Sequence, residues 1–288
     1  MIDTIVDLHH PGHPDFQAMR AGGICAVIHK ATEGGDCQDP EYQARRIAAK
    51  AAGLLWGSFH YSSGAPVAKQ VSNYLTYADP QLDEVACIDF EASTSGPDMS
   101  LQQLEQFVLA VRARIGRAPL LYGGELLRRT LANAISSVLP ACPLWYSRYA
   151  PAPKGIPSIW STWTLWQYTD GAAGPEPHTI PGFGRGDRSQ FDGTEGQLRD
   201  AWPFKDVKPS LSDSALQPAA VSALIAEPRR NSPKHRAPKK ASRPKRVRTP
   251  GGPRPAERVH LVKPGQVVRR MPDKSHVIRR ARPKGGRK

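Results

Sequence analysis

The chain has 288 residues and a formal net charge of +14, which is distributed unevenly along its length. Residues 205–288 contain 24 Lys and Arg residues, 5 Asp and Glu residues, and no Phe, Trp, Tyr or Cys. A segment of this composition cannot bury enough apolar surface to offset its chain entropy, so we predict a Pro-rich, disordered basic tail. Residues 1–204 are acidic overall and form the predicted folded domain.

Several classes of protein are excluded by the same inspection. No apolar run approaches the roughly 18 residues of a membrane-spanning helix, so no transmembrane segment is expected. The N-terminus MIDTIVDLHH lacks the basic and apolar regions of a signal peptide, which predicts a cytoplasmic protein until another route releases or exports it. Four cysteines without a CxxC pair argue against a disulfide framework and against a zinc knuckle.

Short apolar runs alternate with helical patterns up to residue 168. The predicted strands are TIVDL, ICAVIHK, LLWGSFHY, EVACIDFE, PLLYG, PLWYS and TLWQY. The predicted helices between them are PDFQAMRAGG, residues 40–53, PVAKQVSNYLTYA, SLQQLEQFVLAVRARIG and GELLRRTLANAISSVL. This alternation predicts an α/β fold with a parallel sheet, and polar residues at the strand ends favour a closed (β/α) barrel.

Polar and aromatic residues end all seven predicted strands, and the working face of such a barrel lies at these carboxyl ends. The strand ends are Asp7, His29–Lys30, His60–Tyr61, Asp89–Glu91, Tyr122, Trp145–Tyr146 and Trp166–Tyr168. We therefore predict a cleft lined with carboxylates and aromatic rings. The predicted substrate-binding residues are Tyr61, Tyr122, Trp145, Trp166, Tyr168, Lys30 and His60. Gln167 is expected to point away from its neighbours and to be structural.

Asp89 and Glu91 stand two positions apart at the end of the apolar run ACI. Side chains alternate along a strand, so both face the same way, with Cα atoms about 6.5–7 Å apart. Two carboxyl groups this close repel each other, so one keeps its proton while the other is charged. That division of roles suits cleavage of a glycosidic bond. The alternative is that the pair is a strand end that meets water.

The motifs of the first 200 residues resemble the family 25 glycoside hydrolases, the Chalaropsis-type lysozymes. The resemblance rests on Asp7 after the first strand, then HKATEGGD, AGLLWGSFHY, IDFE, LWQYTDG and GDRSQFDG, in the family's order. It covers about residues 3–200. Two positions depart from the family pattern: DLHHPGH replaces the usual first loop, and Ser189 stands where Asn is common.

The resemblance implies an irregular, flattened TIM-like (β/α) barrel that needs no cofactor. It also implies a muramidase that cleaves the β-1,4 bond between N-acetylmuramic acid and N-acetylglucosamine in peptidoglycan. On this resemblance Glu91 is the proton donor, Asp89 the second catalytic carboxylate, and Asp7 and Asp187 further acids of the cleft floor. The family retains the anomeric configuration. Either an enzyme carboxylate or the acetamido group of the substrate attacks the anomeric carbon.

Two other interpretations of the folded domain stay open at this point. A metal-dependent barrel hydrolase would use His9, His29 and His60, although the later strands supply no histidine. A non-catalytic barrel of the same fold would bind glycan without cutting it. For the tail, the charge predicts non-specific attraction to anionic envelope polymers or lipopolysaccharide, and the lack of aromatic residues argues against sequence-specific nucleic-acid binding.

Overall fold

The computed structural model of the protein describes residues 1–204, so the predicted tail, 205–288, lies outside the described residues. The helices and strands are β1 (Ile2–Leu8), α1 (Phe16–Ala21), β2 (Ala26–Glu33), β3 (Cys37–Gln38), α2 (Tyr42–Ala51), β4 (Leu55–Tyr61), α3 (Val67–Ala78), β5 (Val85–Asp89), α4 (Leu101–Ile115), β6 (Leu120–Gly123), α5 (Glu125–Leu131), β7 (Leu144–Ser147), β8 (Leu165–Thr169), β9 (Thr179–Ile180), β10 (Gly184–Arg185), β11 (Arg188–Phe191) and α6 (Glu195–Ala201).

Eight of these strands form a closed barrel in the order β1–β11–β8–β7–β6–β5–β4–β2, and β2 pairs again with β1. The successive pairings β2–β4, β4–β5, β5–β6, β6–β7 and β7–β8 are parallel, as is β1–β2, whereas β11 is antiparallel to both of its neighbours. The predicted α/β class and irregular TIM-like barrel are confirmed. The sequence prediction lacked β11, because the four residues RSQF contain one apolar side chain and give no strand signal.

The alternation of side chains divides each strand between two apolar layers. The inward layer fills the barrel with Ile5, Ala26, Ile28, Phe59, Val85, Cys87, Leu120 and Leu165. The outward layer packs against the helices and includes Val6, Val27, Trp56, Ala86, Ile88, Leu121 and Leu144. Asp7 has the same parity as Ile5, and Asp89 the same parity as Cys87, so both carboxyl groups point into the barrel.

The end of α6 seals the barrel at the amino ends of its strands. Leu198, Trp202 and Phe204 belong to the inward apolar cluster and pack with Ile2 and Leu55, which lie at the starts of β1 and β4. This seal covers the face opposite the carboxyl ends of the parallel strands. The interior is therefore reached from the carboxyl-end mouth.

Helix α4 forms as the sequence predicts, whereas α5 is shorter than predicted. Ser100 caps α4 and exchanges capping-box hydrogen bonds with Gln103, and the helix ends at Gly116 with a left-handed φ of 75°. Helix α5 ends at Leu131 rather than near residue 139. The Ser136 hydroxyl accepts from the backbone N–H of Leu139 at 3.0 Å, so this serine forms a local turn in place of another helical turn.

Gly57 on β4 provides a test of barrel packing. A Cβ atom at this position would lie 2.9 Å from Val85 Cβ and 3.3 Å from Ile28 Cγ1, on the two neighbouring strands. We expect Gly57→Ala to lower the free energy of unfolding by about 1–3 kcal/mol through overpacking. Gly196→Ala on α6, where a Cβ meets only Thr194 Oγ1 at 3.9 Å, should instead raise stability by about 0.5–1 kcal/mol. Urea unfolding of both variants measures the difference, and equal effects would contradict this description of the interior.

Candidate active site

Four carboxyl groups meet at the mouth of the barrel. Asp7 lies on β1, Asp89 ends β5, Glu91 follows two residues later, and Asp187 lies between β10 and β11. They line a central cavity of about 150 Å³ together with Phe59, Tyr122, Trp145, Tyr149 and Gln167. The structure therefore brings together all four acidic residues that the sequence singled out, although they are spread over most of the folded chain.

Burial raises the pKa of every one of these carboxyl groups. The pKa values of Asp7 and Asp89 lie well above the usual range, first because of burial and then because each is close to other acids, Glu91 among them. Burial also raises the pKa of Glu91, and burial together with the charge of Asp170 raises the pKa of Asp187 to about 7. Four neighbouring carboxyl groups cannot all be charged near neutral pH, so the cluster shares protons and titrates as a unit.

A hydrogen-bond chain orients Asp7. The hydroxyl groups of Tyr122 and Tyr149 donate to Gln167 Oε1 at 2.7 and 2.9 Å, which turns the amide nitrogen of Gln167 toward Asp7. That nitrogen donates to Asp7 Oδ1 at 2.9 Å, and the bond lowers the pKa of Asp7 against the effect of burial. Gln167 thus points opposite to Trp166 and Tyr168, as expected, and it is this side chain that faces the cavity and holds a carboxylate in place.

Asp89 has a different environment from Asp7. The residue is 6% exposed, and Oδ1 is buried without a hydrogen-bond partner among residues 1–204. Tyr122 and Trp145 form the wall beside it, with their rings in an edge-to-face contact at 4.7 Å between centroids. Trp145 Nε1 donates to Ser189 Oγ at 2.9 Å, so the serine that departs from the family pattern fixes this ring. Of the predicted binding residues, Tyr122 and Trp145 line the cavity.

Three predicted binding residues lie on the outward face of the barrel wall instead. His60 is fully buried between Thr32 Oγ1 at 2.8 Å and Gln70 Oε1 at 3.1 Å, and burial lowers its pKa to about 4. Trp166 donates to the carbonyl of Arg148, and the Tyr168 hydroxyl donates to Asp3. The reason is that neighbouring side chains of a strand point to opposite faces. His60 follows the inward Phe59, and Trp166 and Tyr168 stand on either side of the inward Gln167, so all three point outward.

Lys30 and Tyr61 lie at the rim and support the segment that carries Glu91. The Tyr61 hydroxyl donates to the carbonyl of Ala92 at 2.7 Å, directly after Glu91. Lys30 Nζ lies 5.0 Å from the centroid of the Tyr61 ring and 2.5 Å from a carboxylate oxygen of Glu33. Neither residue lines the central cavity, so their contact with a substrate stays a prediction.

The histidines of the metal alternative are not brought together. His29 is fully buried on the outward face of β2, where its ring stacks on Trp56, and Arg45 Nη1 lies 3.2 Å from its Nε2. A guanidinium at that nitrogen occupies the place that a metal ion would need. His60 lies in the separate buried contact described above, and His9 is exposed. In the part of the chain that the structure describes, no group of three His, Cys, Asp or Glu side chains could hold a metal ion.

Tyr149, Phe59 and Gln167 are cavity residues that the sequence analysis missed. The alternation of side chains predicts both Phe59 and Gln167 in the cavity. Phe59 lies two positions after the inward Gly57, and Gln167 lies two positions after the inward Leu165. Tyr149 lies in the loop after β7, where no periodic pattern exists to predict its direction. The one available signal was its place just beyond the carboxyl end of a barrel strand.

A closed α/β barrel with acidic and aromatic side chains at its carboxyl-end mouth defines a carboxylate-dependent hydrolase of the glycosidase class. The model of the Glycosyl hydrolases family 25 matches residues 6–176, which is more than half of the chain. The protein belongs to this family. The resemblance drawn from the sequence motifs is therefore confirmed, and with it the lysozyme-type glycosidase class.

Individual relatives agree with this assignment. The chain is 24% identical over 204 residues to Lysozyme M1 of Streptomyces globisporus, covering 66% of this chain and 67% of the relative. It is 27% identical over 164 residues to the autolytic lysozyme of Clostridium acetobutylicum, covering 55% of this chain and 48% of that relative. The chain thus spans about two-thirds of the length of the first relative and slightly less than half of the second.

Among solved structures, the family GH25 lysozyme from Aspergillus fumigatus matches with a TM-score of 0.58 at 27% identity. The match covers 68% of this chain and 96% of that structure, so the shared part is the barrel domain. As for membranes, the helices within residues 1–204 are all too short or too polar to span a bilayer.

The raised pKa of Asp187 predicts a pH-dependent cost in stability. Burial disfavours the charged form of Asp187 in the folded protein. The wild type therefore loses stability relative to an Asn variant as the pH rises from about 4, the ordinary pKa of an Asp side chain, to about 7, the pKa of Asp187 in the fold. We expect Asp187→Asn to raise the melting temperature by at least about 3 °C at pH 8 and to have little effect at pH 4. Thermal unfolding across this range measures it.

Asp192→Asn is the matched control, because it removes an exposed carboxyl group outside the cavity. It should leave the melting temperature within about 1 °C at each pH. An increase in the melting temperature of Asp187→Asn that is equal at pH 4 and pH 8 would contradict the proposed burial of the Asp187 charge.

Proposed function

We propose that the protein is a peptidoglycan muramidase that cleaves the β-1,4 bond between N-acetylmuramic acid and N-acetylglucosamine. The observation that carries the proposal is the convergence of Asp7, Asp89, Glu91 and Asp187 in one cavity of a family 25 barrel. Acid catalysis of glycoside cleavage needs one protonated carboxyl group and one charged carboxylate on opposite sides of the reacting bond. A cluster that shares protons supplies both states near neutral pH.

Glu91 is the proposed proton donor. It is less buried than Asp89 and borders both the central cavity and a second groove next to it, so it lies where a glycan would cross the rim. Burial raises its pKa, which keeps a proton available for the leaving oxygen. The anchor from Tyr61 to the carbonyl of Ala92 fixes the backbone just after it. Donation to the leaving oxygen is the step in which this proton is used.

Asp89 is the proposed second catalytic carboxylate. Asp89 lines the same cavity, and its carboxylate can attack the anomeric carbon or accept the N–H of the acetamido group. Both routes retain the anomeric configuration. Asp7, oriented by Gln167, and Asp187 add negative charge that stabilises an oxocarbenium-like carbon. The faces of Tyr122 and Trp145 suit the C–H surfaces of a sugar ring.

Replacing Glu91 by Gln tests the assignment. The amide keeps the size of the side chain but cannot donate a proton as an acid, so hydrolysis should fall by about 10²- to 10⁴-fold. Turbidity of a cell-wall suspension measures the rate, and mass analysis of the released fragments should show reducing muramic acid ends for the wild type. Glu41→Gln, at an exposed site without a side-chain capping bond on α2, is the matched control and should clear the suspension normally.

Three results would contradict this assignment. Equal clearing by the wild type and by Glu91→Gln would remove Glu91 from the mechanism. Reducing N-acetylglucosamine ends would indicate cleavage of the other linkage. Glycan binding by the wild type without new reducing ends would favour the non-catalytic barrel.

We further propose that the protein acts at the cell wall and that residues 205–288 assist it there by charge. This segment carries 24 basic residues and 5 acidic residues, which favours non-specific attraction to anionic wall polymers or lipopolysaccharide. Such attraction weakens as salt screens the charges. The folded domain carries the opposite net charge, so the segment is the part of the chain suited to this contact.

A chain that ends at Phe204 tests the role of the basic segment while keeping the apolar seal of the barrel. We expect this variant to hydrolyse soluble glycan fragments at a rate within about twofold of the full chain. Its binding to anionic wall suspensions should fall at least about tenfold at low salt, and the difference should shrink at 0.5 M NaCl. Sedimentation with the walls measures binding. Unchanged binding, or a difference that salt does not reduce, would contradict the electrostatic role.

A further inference from the structure

A second groove of about 480 Å³ opens beside the central cavity and shares Glu91 and Tyr149 with it. We call it the side groove. Its other lining residues come from the start of α5 and from the end of β7 with the loop that follows. They are Gly124, Glu125, Arg128, Ser147, Arg148 and Ala150. The mechanism above uses Glu91 alone from this set.

One of the two arginines in the side groove is already engaged. Arg128 donates to the hydroxyl of Tyr146 at 3.1 Å and forms an ion pair with Glu125. Glu125 also lies 4.0 Å from Arg129, so its negative charge is balanced on two sides. This pair contributes little net charge to the groove.

Arg148 is different, because its guanidinium makes no hydrogen bond or ion pair with any residue in 1–204. The side chain is exposed, yet the backbone beneath it is fixed. Its N–H donates to the carbonyl of Gln167 at 3.0 Å, and its carbonyl accepts from Trp166 Nε1 at 2.8 Å. The nearby charge of Glu125 interacts with Arg148 without a hydrogen bond or an ion pair, so the groove presents a cation with available donors on a rigid support.

The two openings that meet at Glu91 differ in electrostatic character, because the side groove sets Arg128 and Arg148 against Glu91 and Glu125. Four carboxyl groups line the central cavity, and no cation is among the side chains that the structure places in its lining. On the opposite rim Lys30 is paired with Glu33 at 2.5 Å. The central cavity repels an anionic group on a bound glycan, and Arg148 attracts it. Both effects favour the placement of that group in the side groove.

We propose that the side groove is a subsite for a carboxylate-bearing substituent of the glycan, with Arg148 as the partner of the carboxylate. This proposal rests on the proposed muramidase function, since muramic acid carries a lactyl carboxyl group, which is a free carboxylate where no stem peptide is attached, and N-acetylglucosamine carries none. Because Glu91 borders both openings, a carboxylate held at Arg148 fixes which way the glycan crosses the proton donor. Arg148 is thus a specificity residue, not a catalytic one.

The charge on the substituent is the same before and during bond cleavage, so the contact acts on substrate binding. The test uses peptide-free muramyl glycan fragments, either with free lactyl carboxylates or with the same groups amidated, and the full chain at about 0.15 M salt. For Arg148→Ala we expect KM on the carboxylate form to rise about three- to tenfold while kcat changes less than twofold. The wild-type preference for carboxylate over amide should fall to about one.

Two further variants separate charge from structure. Arg148→Lys should restore most of the carboxylate preference, because it keeps the positive charge. Arg114→Ala is the matched control, since this exposed arginine lies near the end of α4, on the face away from the mouth, and should keep the wild-type preference. A third set of fragments with intact stem peptides identifies the source of the carboxylate. An effect of Arg148→Ala that appears only with these fragments would assign the subsite to the peptide and overturn the lactyl assignment.

An unchanged preference in Arg148→Ala would overturn the subsite while leaving the muramidase proposal intact. Failure of the wild type to release reducing muramic acid ends would overturn the muramidase proposal instead. In that case the dissociation constants of the carboxylate and amide fragments for wild type and Arg148→Ala decide the subsite separately. A preference for the carboxylate that depends on Arg148 supports it, and the absence of such a preference rejects it.

Discussion

The alternation of side chains around a closed barrel is the constraint on which the rest of this structure depends. Each strand sends every second residue inward, and the seal at the amino ends leaves one mouth for polar groups to reach. Asp7 and Asp89 enter this mouth because they continue the parity of apolar residues deeper in β1 and β5. A shift of one residue in either strand would move the acid into the helix-facing layer.

Four carboxyl groups gathered in one buried site lower the stability of the fold, and burial of the two apolar layers must offset this loss. Burial opposes the charge on each carboxyl group, and the groups oppose one another. The two tyrosines and Gln167 recover part of this cost for Asp7 by a chain of hydrogen bonds. Asp89 has no such support at Oδ1, so the site is least satisfied where the proposed chemistry takes place. That pattern is usual where function and stability compete.

Much of the fold, and all four acids, could be predicted from the sequence, because strongly apolar runs mark β1, β2 and β4 to β8, and the motifs mark the strand ends and Asp187. The errors have physical causes. His60, Trp166 and Tyr168 were placed in the cleft by their position near a strand end, while parity decides which face they occupy. Strand β11 is short and polar, and its place depends on pairing with two partners distant in sequence. Tyr149 and Arg148 lie in a loop, where direction depends on tertiary contacts.

The late position of β11 and α6 in the chain has a consequence for biosynthesis. Strand β11 joins β1 to β8, and α6 supplies the apolar plug, so neither closure nor sealing is possible until the ribosome has released residues 188–204. Until then β1 and β8 expose unpaired edges, which invite pairing between nascent chains. A ribosome-bound intermediate of this barrel should therefore be a natural client of chaperones that shield open sheet edges.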